Sequence, residues 1–311
     1  MSDFVQQQNS VCDFSSSDSW VILSPIEQSI KRKIEAVGTP LKDWNIQINY
    51  GIKTGYNDAF IITSQKRDEI LSNCSSEEER SKTDEIIRPI LRGRDIKRYS
   101  YDWANLWLIW VPWHFPLHND TSIQGASERA EQAFQAQYPA LYKHLSAYKK
   151  ELSARNKAET GIRYEWYALQ RWGANYWEEF FKPKVMYPNM TKYIPFYYDI
   201  RGFYQNDKSF MITGRHIAFL TAFLNSSIFK FCFLNNFPEL QGGTRELRKV
   251  FFDKIPVIQI DDLLNERFAS LISEMQNDPT VEKAKCIDKL LFDVYGLTDA
   301  ERDVIGFIEI Q

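Results

Sequence analysis

Strand-length apolar runs in this sequence are held apart by long helical stretches, and that spacing limits the fold more than any other feature. NLWLIWVPW (105–113) is an apolar run of strand length, ended by Pro112. The next loop-and-strand text, YEWYALQRW (164–172) and KPKVMYPNM (182–190), follows only after 126–157, an Ala-, Leu-, Glu- and Lys-rich stretch. That stretch reads as one or two helices interrupted near Pro139. The regular βαβ alternation of a doubly wound sheet is missing. The expected class is α+β, with short mixed β-sheets, long helical insertions and a C-terminal helical tail.

Local signals fill in the rest. SPIEQSIKRKIEAVGTPL reads as a helix, with Pro25 in the first turn after Ser24 and Gly38 marking the end. WNIQINYGIKTGYNDAFII reads as two short strands around a Gly-containing turn. Residues 64–85 are charged and Ser-rich, a helix plus a surface loop. RHIAFLTAFLNSSIFKFCFLNNF is an apolar helix stopped before Pro238, and 261–295 forms a pair of amphipathic helices closed by GLTDAERDVIGFI. Three regions are expected: a flexible lead rich in Ser, Gln and Asp over 1–19, a main body over 20–260, and a helical acidic tail over 261–311.

Bulk properties narrow the function. A chain of 311 residues with 44% hydrophobic and 25% charged residues can bury a sizeable core unaided. No apolar run approaches the ~20 residues needed to span a bilayer. The start resembles neither a signal peptide nor a transit peptide. Cys12, Cys74, Cys232 and Cys286 are scattered, which argues against a zinc site or a disulfide scaffold and fits a cytoplasmic protein. The net charge of −3 speaks against a nucleic-acid partner until its distribution is considered. Residues 261–311 hold 12 acids and 5 bases, net −7, so residues 1–260 carry +4.

Catalytic signatures are absent. There is no GxGxxG, no P-loop, no GxSxG and no Asn-Pro-Pro-aromatic tetrapeptide; Gly242-Gly243 lies in a polar loop. His114 and His118 have i,i+4 spacing, but Pro112 and Pro116 argue against the helix a metal pair would need. No metal site is expected.

Three segments instead have the composition of a polyanion reader. In Gly51–Asn57 two glycines permit close backbone approach, and Lys53, Thr54, Gly55 and Asn57 form a surface able to reach phosphates or base edges. The plain alternative is a hairpin turn. Arg88–Arg98 carries five cations (Arg88, Arg92, Arg94, Lys97, Arg98) against Asp95 alone, and Pro89 and Gly93 would crowd them into a loop. Gln241–Lys249 is a glycine loop feeding a basic turn, with Gln241, Gly243, Thr244 and Arg245 as candidates; its alternative is a flexible connector. Lys182 and Lys184 are a weaker fourth candidate, with the capping of a strand end as the plain alternative. Trp110, Trp113, Trp166, Trp172 and Trp177 are read as core packing before base stacking.

The pieces GIKTGYNDAFII, IIRPILRGRDIKRY, YPALYKHLSAYKKELSAR, WYALQRW, FFKPKVMYPNM, LNSSIFKF, LQGGTRELRK with FFDKIPV, and IDKLLFDVYGLTDAERDVI occur in that order. Together they resemble the TaqI-like C-terminal specificity domain of type IIG restriction–modification enzymes and related adenine-N6 DNA methyltransferases. The resemblance implies that 20–260 is a target-recognition domain gripping double-stranded DNA. A separate methyltransferase domain or subunit, in some members with a nuclease, would bind S-adenosylmethionine and flip the adenine. This chain would be the C-terminal portion or a separately encoded specificity polypeptide, without cofactor or catalysis of its own. Cations of 88–98, with Lys182 and Lys184, would hold phosphates. Asn57 and Gln241 would pair adenine, and Arg245 guanine. A protein–protein adaptor, or a specificity subunit that binds DNA only beside its catalytic partner, is the competing class.

Overall fold

Ser24 opens the first helix of the protein, Pro25–Val37, in a computed structural model that describes residues 24–308; the lead expected over 1–19 lies outside them. Ser24 Oγ accepts from the Glu27 amide at 3.4 Å, and the Glu27 carboxylate accepts from the Ser24 amide at 2.7 Å. This reciprocal cap satisfies two backbone donors that a helix start leaves open, and Pro25 has no such donor to satisfy. Ile30 and Ile34, one turn apart, point into the core. Gly38 ends the helix and begins a short strand, Gly38–Pro40, antiparallel to Pro256–Ile258. A Cβ on Gly38 would lie 2.6 Å from Pro256 Cβ, so the register depends on a glycine there.

The chain divides into two compact units, Gln47–Ile217 and the paired segments Met1–Ile46 and Ala218–Gln311. In the second of these, the apolar stretch read as one helix is two, Ile217–Leu224 and Ser227–Phe233, with a 65° bend. Ser226 makes the break by capping the second helix, its Oγ accepting from the Phe229 amide at 3.1 Å. The Asp288 carboxylate accepts from both the amide and the Oγ of Ser227. Phe219, Leu220, Phe223, Ile228 and Phe229 are fully buried. Among the described residues no single helix is long and apolar enough to cross a membrane.

The acidic C-terminal stretch folds into the same unit as Asp262–Asn277, Val281–Val294 and Asp299–Ile305. The closure after 295 is therefore itself a capped helix. Its buried Glu301 accepts from Lys33 Nζ at 2.6 Å and from Ser29 Oγ at 2.9 Å, tying the last helix to the first.

The Gln47–Ile217 unit is built on two four-stranded sheets. One has the order Ile46–Tyr50, Ser209–Gly214, Lys184–Pro188, Tyr197–Asp199; the other has Ile61–Thr63, Leu106–Ile109, Ile87–Leu91, Tyr204–Gln205. The two strands read around the 51–57 turn thus belong to different sheets, and a four-residue helix, Asn57–Phe60, separates them. They do not form a hairpin. Pro89 sits inside the strand Ile87–Leu91, opposite Trp107, so only the residues after Leu91 form the basic turn.

Helices pack against the second sheet. Residues 64–86 form Ser64–Ser72 and Glu77–Ile86, and 126–157 form three helices: Glu128–Gln137, Pro139–Ser146 and Lys149–Ala154. Pro139 starts the middle one, whose open amide at Ala140 donates to the buried Glu79 carboxylate at 2.8 Å. Phe60, Ile90, Leu108, Ile109, Phe134, Leu141 and Tyr167 form the centre of this core. The architecture is α+β with small sheets and a helical C-terminal region, as the spacing of the apolar runs predicts.

Candidate functional site

Tyr204–Gln205 belongs to one sheet and Ser209–Gly214 to the other, so the turn Asn206–Lys208 passes between them. Two of the cationic segments meet this turn. From one side, the Gly51 amide donates to Ser209 O at 3.0 Å and the Ile52 amide to Gln205 O at 2.7 Å. A Cβ on Gly51 would fall 2.0 Å from Asn206 O, so only glycine permits this approach. From the other side, the Asn206 amide donates to Leu91 O at 3.4 Å, and a Cβ on Gly93 would lie 2.8 Å from Lys208 O. The turn therefore anchors both the 51–57 loop and the basic turn from Arg92.

The loop is fixed along its length. Lys53 and Arg171 exchange backbone hydrogen bonds of 3.0 and 2.9 Å. Thr54 is buried, and its Oγ1 donates to Asn57 Oδ1 at 2.6 Å, leaving the exposed Asn57 amide nitrogen free to donate. Gly55, at φ +79°, carries the chain around the tip. Beneath it the buried Arg155 guanidinium donates to the carbonyls of Thr54, Trp166 and Ala168. Burial pulls its pKa down to about 10. Neither Arg155 nor Arg171 stands out in the sequence: the first ends a helical stretch and the second is a lone cation in WYALQRW.

The candidates of 92–98 play different parts. Arg92 forms a fork with the buried Asp95 (Nε–Oδ2 2.9 Å, Nη2–Oδ1 2.8 Å) and its amide also donates to that carboxylate. It therefore shapes the turn. Arg94 is exposed and has no side-chain partner among the described residues. Lys97 lies 3.7 Å from the exposed Asp102, and Arg98 sits over the Tyr99 ring at 5.5 Å.

Lys184 corrects the expectation of a phosphate contact. It is fully buried on a central strand; its Nζ lies 2.6 Å from Asp199 Oδ2 and donates to Phe180 O at 2.7 Å. Burial pulls its pKa down against the opposing pull of Asp199. A polyanion cannot reach it. Lys182 stays half-exposed, paired with Glu179 at 2.7 Å.

The third segment belongs to the other unit. Arg245 donates to Phe237 O (2.8 Å), Asn235 Oδ1 (3.1 Å) and Glu239 Oε2 (2.8 Å), all within its own loop. Its guanidinium holds that loop together, whereas the sequence pointed to direct guanine contact. The Leu240 amide donates to Thr244 O at 2.6 Å, and Gln241 and Gly243 remain exposed at the tip.

The tryptophans pack as core. Trp110 is buried against Trp172, Trp177 and Tyr204; Trp113 stacks on Tyr164 and donates to Leu169 O; Trp166 donates to Glu131. His114 pairs with the buried Glu165 at 3.0 Å, and no group of His, Cys, Asp and Glu able to hold a metal occurs among the described residues. The Gly242-Gly243 pair turns inside a short loop and does not join a strand to a helix.

Charge is divided as the units are. Gln47–Ile217 holds 24 Lys and Arg against 20 Asp and Glu, net +4, and the rest of the chain holds 14 against 21, net −7. Lys53, Arg94, Arg171 and Lys208 carry no carboxylate partner among the described residues; Arg171 lies 5.5 Å over the Tyr50 ring.

The family model of the TaqI-like C-terminal specificity domain matches residues 88–257. Two solved structures share the fold. The type IIG restriction endonuclease BpuSI aligns over 88% of this chain and 34% of its own, with a TM-score of 0.50 and 14% identity. The type IIL restriction–modification enzyme MmeI, solved in complex with DNA, aligns over 85% of this chain and 35% of its own, with a TM-score of 0.53 and 14% identity. The chain thus spans about a third of the length of these enzymes. No curated protein sequence matches it. With more than half of its 311 residues under the family model, the chain belongs to the family of TaqI-like C-terminal specificity domains.

Proposed function

We propose that this chain reads the sequence of double-stranded DNA for a restriction–modification adenine-N6 methyltransferase. The observation that carries the reading is the meeting of two cationic segments on the turn Asn206–Lys208, with Lys53, Arg94, Arg171 and Lys208 free of carboxylate partners among the described residues. Unpaired surface cations grouped around rigid turns suit phosphates, whose neutralisation releases counterions. Membership of a specificity-domain family supports the same reading.

In this mechanism Lys53, Arg94, Lys97, Arg98, Arg171 and Lys208 grip the backbone and set register, with Lys182 at the margin. Asn57 offers an amide donor and a second lone pair on Oδ1, the pair of groups that adenine's N7 and N6 require. Gln241 does the same from the other loop, which Arg245 shapes. The target adenine is then presented to a catalytic domain, outside these residues, that binds S-adenosylmethionine.

Fluorescence-anisotropy titration of the chain against random duplex DNA at several salt concentrations tests the reading. Log affinity should fall linearly with log salt, and sequencing retained duplexes should return a defined site. Absence of binding at low salt would overturn it.

A further inference from the structure

The Arg155 guanidinium is nine-tenths buried, yet no carboxylate lies within ion-pair distance among the described residues. All its hydrogen-bond acceptors are backbone carbonyls: Thr54 in the loop, and Trp166 (3.0 Å) and Ala168 in the segment leading to Arg171. Burying an unpaired charge is costly, and a neutral side chain would avoid that cost. What a neutral chain lacks is a rigid planar fork with donors aimed at several carbonyls at once. The loop is seated on this fork: a Cβ on Gly55 would lie 2.9 Å from Arg155 Cδ and 2.9 Å from Gln170 Oε1.

We infer that Arg155 is a positioning residue for sequence discrimination: from beneath, it locks the Thr54–Gly55 backbone to the 166–168 segment and so aims Asn57. The inference rests on the DNA-reading proposal. Arg155 itself touches no DNA, because it is buried under the loop it holds. Its loss therefore removes no phosphate contact. It loosens the loop, and the penalty falls on the base pair that the loop reads.

The test compares wild type with Arg155→Met and Arg155→Lys in two measurements. The first is hydrogen exchange of the DNA-free chain. Amides of 53–57 should exchange faster in Arg155→Met while the sheet interior keeps its protection; unchanged exchange in the loop would overturn the clamp without reference to DNA. The second is selection from random duplex DNA followed by anisotropy on the selected and single-position-substituted duplexes. Preference at one position should fall about tenfold in Arg155→Met and less in Arg155→Lys, with the salt slope unchanged. This ratio is insensitive to the fraction of folded protein, so simple destabilisation does not mimic it. A shallower slope, or equal weakening on every sequence, would overturn the positioning role. If wild type binds no DNA, the DNA-reading proposal fails, and the exchange result still decides whether the clamp exists.

Discussion

Lys184 and Asp199 face each other across an antiparallel strand pair, Nζ 2.6 Å from Oδ2, and both are fully buried. Asp199 also accepts from the Arg201 and Phe203 amides, so it fixes the turn into Tyr204–Gln205. Removing one partner leaves an uncompensated buried charge. Lys184→Met should cost about 3–5 kcal/mol, read as a lower urea midpoint at unchanged slope. A loss below about 1 kcal/mol would show that the pair is dispensable.

Arg94 and Arg171 are exposed and have no carboxylate partner among the described residues. Either one changed to alanine should weaken DNA binding equally on all duplexes and reduce the log affinity–log salt slope by about 0.9. Asn57→Ala should do the opposite, keeping the slope while costing roughly 1–3 kcal/mol of discrimination at one base pair.

Arg245 is bound within its own loop by Phe237, Asn235 and Glu239. Arg245→Lys keeps the charge but loses the fork. It should therefore relax preference at the Gln241 position as much as Arg245→Ala does. Full retention of preference in the lysine variant would assign Arg245 to a phosphate.

Glu301 gives a pH signature. Burial pushes its carboxyl up, but hydrogen bonds from Lys33, Thr298 and Ser29 outweigh this and hold it down to about 2, against an ordinary 4.5. A depressed carboxylate contributes stability that is present above the ordinary value and lost as pH falls toward the folded one. Glu301→Gln should destabilise by about 1.5–3 kcal/mol at neutral pH. The gap from wild type should close between pH 4.5 and 2 in acid titrations of unfolding; a constant gap would refute the assignment.

What could be read from the sequence was what local chemistry decides. Ser24, Pro25 and Gly38 mark a helix by their own backbone preferences, and the structure keeps all three in place. The break inside 217–233 escaped because apolar periodicity runs through it, while Ser226 acts by a single cap. Lys184 misleads because a lysine flanking a strand looks the same whether it meets solvent or Asp199, and that partner arrives only through strand pairing. Arg155 leaves no signal for a similar reason. Its acceptors are carbonyls, which any residue carries, at positions 54, 166 and 168. The cations of 92–98 and the paired glycines of 51–57, by contrast, are visible in composition itself.

The turn Asn206–Lys208 couples the two segments it supports. Gly51 and Ile52 lean on it from one side, Leu91 and Gly93 from the other. A residue inserted there would shift both segments at once. Side-chain exchange at Asn57 or Arg94 leaves that anchor untouched. Changes of loop length at this turn should therefore disturb both segments, whereas side-chain substitutions at fixed loop length should alter one segment at a time.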